Sequence, residues 1–191
     1  MIPGPEGEGR NARSSPCYSY MTPIIFLQRG STMSIIRVIN NDYKYYNTDA
    51  KEKTIEYILN PKKTKSGFIG GIAVSAVCPA ESMMLISEHF NKTDGVQLRH
   101  YVISFDKGEI NKPKIANDIA CRVSAYIGQQ YQIVFAVHED EENLHIHFVA
   151  NTVSYIDGHR YRGTYAEFYE MINYISNVLS LYKIKNLMYV K

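Results

Sequence analysis

From residue 98 onward the apolar positions follow a strand period, then a helix period, then a strand period again. Leu98 to Phe105 alternates well enough to predict a strand, which carries His100 and Ser104. Between Lys112 and Gln130 the apolar residues Ile115, Ile119, Val123 and Ile127 fall four apart, a stripe that predicts a helix lying on a sheet. Ile133 to Val137 and Phe148 to Ala150 are β-rich runs within two strands, 131–138 and 144–153, joined by an acidic loop. Asp157-Gly158 reads as a hairpin turn, after which Tyr161 begins a returning edge. Phe168, Ile172, Ile175 and Leu179 form the inward stripe of a last helix over 165–182.

Upstream, Met33 precedes an alternating run, Ser34 to Ile39, that predicts the first strand of the domain. Asn40 to Ala50 is polar and feeds a short helix over 51–59, which Asn60-Pro61 stops because a residue before proline is driven out of the helical region. Tyr57 therefore falls in the last turn of that helix, close to Lys62, Lys63 and Lys65. Phe68 to Ser75, with Gly70-Gly71, predicts a short strand; Pro79 opens a helix through Phe90, and Asn91 to Gly95 turns the chain. The sum is an α+β fold: an antiparallel sheet with helices packed on one face. Residues 1–32 are rich in Gly, Pro and Ser and predict a flexible leader that buries no core, leaving 33–191 as one domain.

Composition narrows the function classes. A chain of 191 residues with 45% hydrophobic content suits a single domain with a sizeable core. A formal net charge of +2 excludes a uniformly basic coat, so any polyanion must be met by a local patch. Cys17, Cys78 and Cys121 lie far apart without zinc-type spacing, which argues against a disulfide framework and for a reducing compartment. Met21 to Leu27, the longest apolar run near the start, is broken by Thr22 and Pro23 and is too short to span a bilayer. With no secretory signal, the expectation is a soluble cytoplasmic protein without membrane insertion.

Three histidines sit at the rims of the 131–138 and 144–153 strands: His138, His145 and His147. A strand repeats every two residues, so His145 and His147 project from one face, their backbones about 7 Å apart, while Ile146 turns to the other. The predicted sheet thus has an imidazole face opposite the helices. Three neutral imidazoles meeting at a point suit a divalent ion, Mg²⁺ or Mn²⁺ or a transition metal, and leave it strongly Lewis acidic. Asp140, two residues beyond His138, is placed to accept a ring N–H and fix the tautomer. Glu139, Glu141 and Glu142 read as solvated loop charges. His89, His100 and His159 lack such company and read as ordinary packing or surface residues, with His100 retained as a second candidate.

The run His138-x-Asp140-x4-His145-x-His147-x3-Asn151 resembles the third motif of the relaxase and mobilisation-nuclease family, histidine-hydrophobic-histidine enzymes that start conjugative plasmid transfer. Thr54 to Thr64, containing Tyr57 and Pro61, resembles the family's first motif, and Arg99 to Glu109, containing Ser104, its second. The three fall in the family's order, and the resemblance spans about residues 33 to 182. It implies a tyrosine nucleophile, Tyr57, that attacks a phosphodiester at an origin of transfer and becomes joined to the 5′ phosphate, with a metal at His138, His145 and His147 orienting that phosphate. Asp140 joins Tyr57 in the implied catalytic set, and Ser104, Lys62, Lys63 and Asn151 are the implied DNA contacts. The implied partners are single-stranded DNA, accessory mobilisation proteins and a coupling protein. Typical members extend well beyond this length, so the expectation is a C-terminally truncated or naturally short domain.

Alternatives stay open at this level. Tyr43, Tyr45 and Tyr46 rival Tyr57 among 16 tyrosines, most of which must be packing residues. Ser104 serves equally as a plain strand residue. The same histidine arrangement would serve a replication-initiation or transposase-like strand transferase, although a tyrosine ahead of the histidines favours a relaxase. A metal-holding DNA-binding remnant that no longer cuts is the reading from another class.

Overall fold

The computed structural model describes residues 34–39, 44–184 and 187–190; the leader predicted over 1–32 lies outside the described residues. Six strands form one sheet: β1 (Ser34–Ile39), β2 (Ile69–Ile72), β3 (Leu98–Ser104), β4 (Tyr131–His138), β5 (His145–Ser154) and β6 (Leu187–Val190). Their spatial order is β2-β4-β5-β3-β1-β6, antiparallel throughout except for the parallel β1–β6 pair. Four helices complete the α+β domain: α1 (Ala50–Ile58), α2 (Pro79–His89), α3 (Pro113–Ile127) and α4 (Tyr165–Ser180).

The helices form where the residue pattern places them. Proline occupies the first turn of both α2 and α3, where a missing N–H costs nothing. Thr164 and Glu167 close a capping box at the start of α4, each satisfying an N–H that the first turn would otherwise leave unpaired. Helix α1 carries an Asp49–Lys53 ion pair one turn apart and ends ahead of Pro61, with the Leu59 N–H still bonded to the Ile55 carbonyl.

Strands β4 and β5 are buried along their whole length, so both faces of the sheet centre are covered. Ile133, Phe135, Val137, Ile146, Phe148 and Ala150 face one way and share a cluster with Ile119 and Val123 of α3 and Phe168, Ile172, Ile175 and Leu179 of α4. These two helices thus pack away from the histidines, as their stripes predict. The histidine face is not bare, however. Val134, Ala136 and Val149 lie between and beyond the histidines on that face, and apolar positions at the sheet centre require cover. Ile55 and Ile58 of α1 and Ala80 and Met83 of α2 supply it.

Three strand expectations change. Strand β2 stops at Ile72 rather than Ser75, because Ala73 adopts a positive φ of 57°. The returning edge at Tyr161 shrinks to a bridge between Val153 and Arg160 and one bond from the Tyr161 N–H to the Thr152 carbonyl. Gly163, with φ of 66°, then turns the chain off the sheet toward the α4 cap. Strand β6 was not expected at all: four residues beyond the last helix are too few to show a period. Among the described residues, no helix is long and apolar enough to cross a membrane.

Candidate active site

Register brings the histidines together. His138 pairs directly with His145 across β4 and β5, and Ala136 pairs with His147, so all three rings rise from one face beside α1. They are nearly sealed from solvent, at 0%, 6% and 6% exposure. Ring centroids lie 5.2 Å apart for His138 and His145, 4.4 Å for His138 and His147, and 5.1 Å for His145 and His147. One nitrogen from each ring falls within 4.8 Å of the others.

Each ring commits its other nitrogen to the protein. His138 Nε2–H donates to the Ile58 carbonyl at 2.8 Å, and His145 Nδ1–H donates to the Asn143 carbonyl at 2.9 Å. His147 Nδ1 bonds His100 Nε2 at 2.8 Å. That leaves His138 Nδ1 and His147 Nε2 buried with no hydrogen-bond partner. Two orphaned ring nitrogens in a sealed histidine cluster are costly unless something binds them, and neutral imidazole nitrogens are fitting ligands for a divalent ion. Two of the rings, His138 and His147, are held neutral. Burial, reinforced by His100, His138 and His145, pushes His147 down to about 2, and burial likewise depresses His138 against the opposing pull of the Ile58 carbonyl.

Tyr57 stands at the edge of this cluster. Ile55 and Ile58 anchor α1 on the sheet, which turns Tyr57 to the flank of the helix with 45% of its surface exposed. Its ring centroid lies 5.7 Å from that of His147 and 6.2 Å from that of His138. The Lys63 ammonium sits 4.5 Å above the Tyr57 ring, 3.4 Å from its hydroxyl, and 3.2 Å from the Asp140 carboxylate. A backbone bond from the Glu139 N–H to the Lys63 carbonyl pins the loop after α1 to the end of β4, and this fixes the lysine beside both partners. The hydrogen bond to Asp140, then that to Tyr57, raises the Lys63 pKa above its ordinary value. Lys63 is therefore a standing cation at the phenol oxygen.

The other expected residues separate. Ser104 pairs across the sheet with His145 on the histidine face and is half-buried, beside the triad. Lys62 is exposed in the loop after α1. Asn151 is elsewhere: it lies six residues along β5 from His145 and is 1% exposed, with its amide donating to the Met83 carbonyl and to Gln132 Oε1. Asp140 does not accept the ring N–H of His138. Its carboxylate is 3.9 Å from Nδ1, on the unpartnered side of the ring, and the Ile58 carbonyl holds the tautomer instead. Burial opposes its charge, yet the Lys63 hydrogen bond keeps the Asp140 pKa below its ordinary value.

Of the rival tyrosines, Tyr45 is buried with its hydroxyl 2.9 Å from His100 Nδ1, Tyr46 is 55% exposed, and Tyr43 lies outside the described residues. His100, retained in the sequence only as a second candidate, and Tyr45, weighed there only as a rival nucleophile, both join this site as hydrogen-bond partners behind His147. His100 shares a face with His147 only because β3 pairs with β5 in the register Val102 to His147, and the sequence does not display that register. Alternation within Leu98 to Ser104 does put His100 and Ser104 on one face, which is the one signal that was available.

A family model described as Relaxase: MobA/VirD2-like, nuclease domain, matches residues 57–183. Comparison with curated proteins gave no match, and comparison with solved structures gave none. The match begins at the tyrosine beside the triad and runs through β2, α2, β3, α3, β4, β5 and α4, more than half of the chain, so the protein belongs to the MobA/VirD2-like relaxases, a family of DNA-nicking nuclease domains.

Proposed function

We propose that this relaxase nicks single-stranded DNA at a plasmid or conjugative-element origin of transfer by tyrosine transesterification, with Tyr57 as nucleophile. The observation that carries the reading is the placement of the Tyr57 ring against His147 and His138 with the Lys63 ammonium at its hydroxyl. In the reaction the Tyr57 oxygen forms a bond to phosphorus while the bond from phosphorus to the 3′ oxygen breaks. The phenol proton leaves, and the departing 3′ oxygen takes one up, so the strand ends as a 5′ phosphotyrosine and a free 3′ hydroxyl. The new ester keeps the energy of the old one, which permits rejoining.

A phenol is a weak nucleophile while protonated, since its ordinary pKa is about 10. Lys63 donates to the Tyr57 oxygen and Asp140 holds Lys63 in place, so a fixed cation stands at the attacking oxygen. His138, His145 and His147 would hold a divalent ion, Mg²⁺ or Mn²⁺, which when bound supplies positive charge toward the phosphate oxygens. Ser104, next to His145, is positioned to donate its hydroxyl to the DNA backbone, and Lys62 offers exposed charge nearby. Asn151 is left out of the DNA-contacting set, because its amide already serves the α2 contact.

The test is a denaturing gel of protein incubated with origin oligonucleotide and Mn²⁺ or Mg²⁺. Wild type should give a slow protein–DNA adduct and a nick, both abolished by chelator, and Tyr57→Phe should give neither while still taking up the ion. An adduct formed by Tyr57→Phe at wild-type rate would move the nucleophile elsewhere.

A further inference from the structure

The three ring tautomers of the triad are not fixed in the same way. Backbone carbonyls only accept, so the Ile58 and Asn143 carbonyls force the proton of His138 onto Nε2 and that of His145 onto Nδ1. Both rings then turn a lone pair away from those carbonyls at all times. His147 has no such lock. Its Nδ1 meets another imidazole, His100 Nε2, at 2.8 Å, and the far nitrogen of His100 meets the Tyr45 hydroxyl at 2.9 Å. Each of these groups can donate or accept, so the chain runs in two directions.

If Tyr45 donates to His100 Nδ1, then His100 Nε2–H donates to His147 Nδ1, and the His147 proton must sit on Nε2. That nitrogen is buried without a partner, so in this direction it is an N–H with no lone pair for a cation. If the chain reverses, His147 Nδ1–H donates to His100, His100 Nδ1–H donates to Tyr45, and His147 Nε2 becomes a ligand. We propose that His100 and Tyr45 form a two-way hydrogen-bond relay that decides whether His147 offers a lone pair to a divalent cation, which makes them positioning residues of the metal centre.

The surroundings suit a relay. His100 is 5% exposed and Tyr45 6%, so solvent does not replace either bond. His100 is held by strand pairing on both sides, opposite Val149 of β5 and Ile39 of β1. The Tyr45 carbonyl accepts from the Gln97 N–H, next to β3, so donor and acceptor are carried by tied backbone. Tyr45 also lies just ahead of α1, whose last residue, Ile58, accepts from His138. The helix bearing Tyr57 is thereby flanked by two groups tied to the cluster: Tyr45 ahead of it bonds His100, and Ile58 at its end bonds His138. A cation at His147 Nε2 selects one direction of the relay, and by reciprocity the direction of the relay sets the affinity for the cation.

This inference rests on the reading of the triad as a metal site, and the experiment separates the two. Ring ¹⁵N NMR of the full chain, with Mg²⁺ as the probe, reports which nitrogen of each imidazole bears the proton. Loaded protein should show Nδ1–H on both His147 and His100, and a loaded state with Nε2–H on His100 overturns the relay. Calorimetry with Mn²⁺ gives the second arm. His100→Leu, which removes the acceptor, should bind Mn²⁺ about 10–100-fold more weakly, whereas His100→Glu, an acceptor-only group, should stay within a few-fold of wild type. Undiminished affinity in His100→Leu overturns the relay alone. Failure of the wild type to take up Mn²⁺ or Mg²⁺ overturns the metal reading and the relay with it. Should His100→Leu fail to fold, the wild-type NMR spectrum still decides the matter.

Discussion

Strands β4 and β5 present two faces that differ in almost every physical respect, although their residues alternate one by one along the same backbone. Toward α3 and α4 the face is Ile133, Phe135, Val137, Ile146, Phe148 and Ala150, an unbroken apolar layer. Toward α1 and α2 it carries His138, His145, His147 and Asn151 among Val134, Ala136 and Val149, with His100 on the neighbouring strand and Lys51 on α1 also buried. Lys51 places its ammonium on the Met83 carbonyl and Ser87 hydroxyl, and burial pushes its pKa down to about 8. One face gains stability from area removed from water; the other gives up part of that gain to hold polar groups in set directions. Adjacent residues can therefore be expected to fail in different ways when changed.

The two faces differ most sharply at the neighbouring pair His147 and Phe148. Phe148→Ala should cost about 3–5 kcal/mol of unfolding free energy, measured by urea titration, while the folded fraction keeps Mn²⁺ affinity within a few-fold of wild type. His147→Gln should do the reverse, losing under about 2 kcal/mol and eliminating measurable Mn²⁺ uptake. Comparable effects of both substitutions on both properties would break the distinction between the faces.

Between pH 7 and pH 5, acid should act chiefly through the histidine face. His147 and His138 have folded pKa values below the unfolded value of about 6.5, so below that pH the unfolded chain binds more protons than the folded one. Their contribution to stability is complete above about pH 6.5 and declines as pH falls, by up to about 1.4 kcal/mol per pH unit for each ring. Thermal melts in chelator should show wild type losing stability from pH 7 to pH 5, and His147→Gln losing less over the same range. Equal slopes would mean that the burial of His147 is not what penalises its protonation.

The smallest effect expected is at Lys51. Its folded pKa lies below its unfolded one, so the unfolded chain holds more protons between about pH 8 and 10.5, and this group's contribution to stability rises with pH across that window. Lys51→Met removes the buried ammonium and its desolvation cost together. At pH 7 it should change stability by less than about 1.5 kcal/mol in either direction, and it should flatten the rise above pH 8.

Much of this molecule was legible in its sequence, for identifiable reasons. Stripes such as Ile119 and Val123, or Phe168, Ile172, Ile175 and Leu179, announce which helix face is buried because apolar side chains have few other places to go. The histidine triad is legible because parity puts His145 and His147 on one face and the hairpin brings His138 opposite. What depends on register between strands distant in sequence is not legible. His100 joins the site only through the β3–β5 pairing, and Asn151 leaves it because six residues of strand carry it away from His145. The tautomer lock on His138 comes from the Ile58 carbonyl, a backbone group no sequence pattern marks, and Asp140 turns to Lys63 instead. Strand β6 and the bridge at Arg160 are short enough that a turn or a partner decides them rather than a period.

The most direct test of Tyr57 as nucleophile is peptide mapping of the covalent product. Wild-type protein is reacted with single-stranded origin oligonucleotide, digested with nuclease and trypsin, and the peptide bearing the residual nucleotide is identified by mass spectrometry. The nucleotide is predicted on the peptide Thr54–Lys62, attached to Tyr57 through its 5′ phosphate. A nucleotide on the peptide Tyr45–Lys51, at Tyr45 or Tyr46, would contradict it.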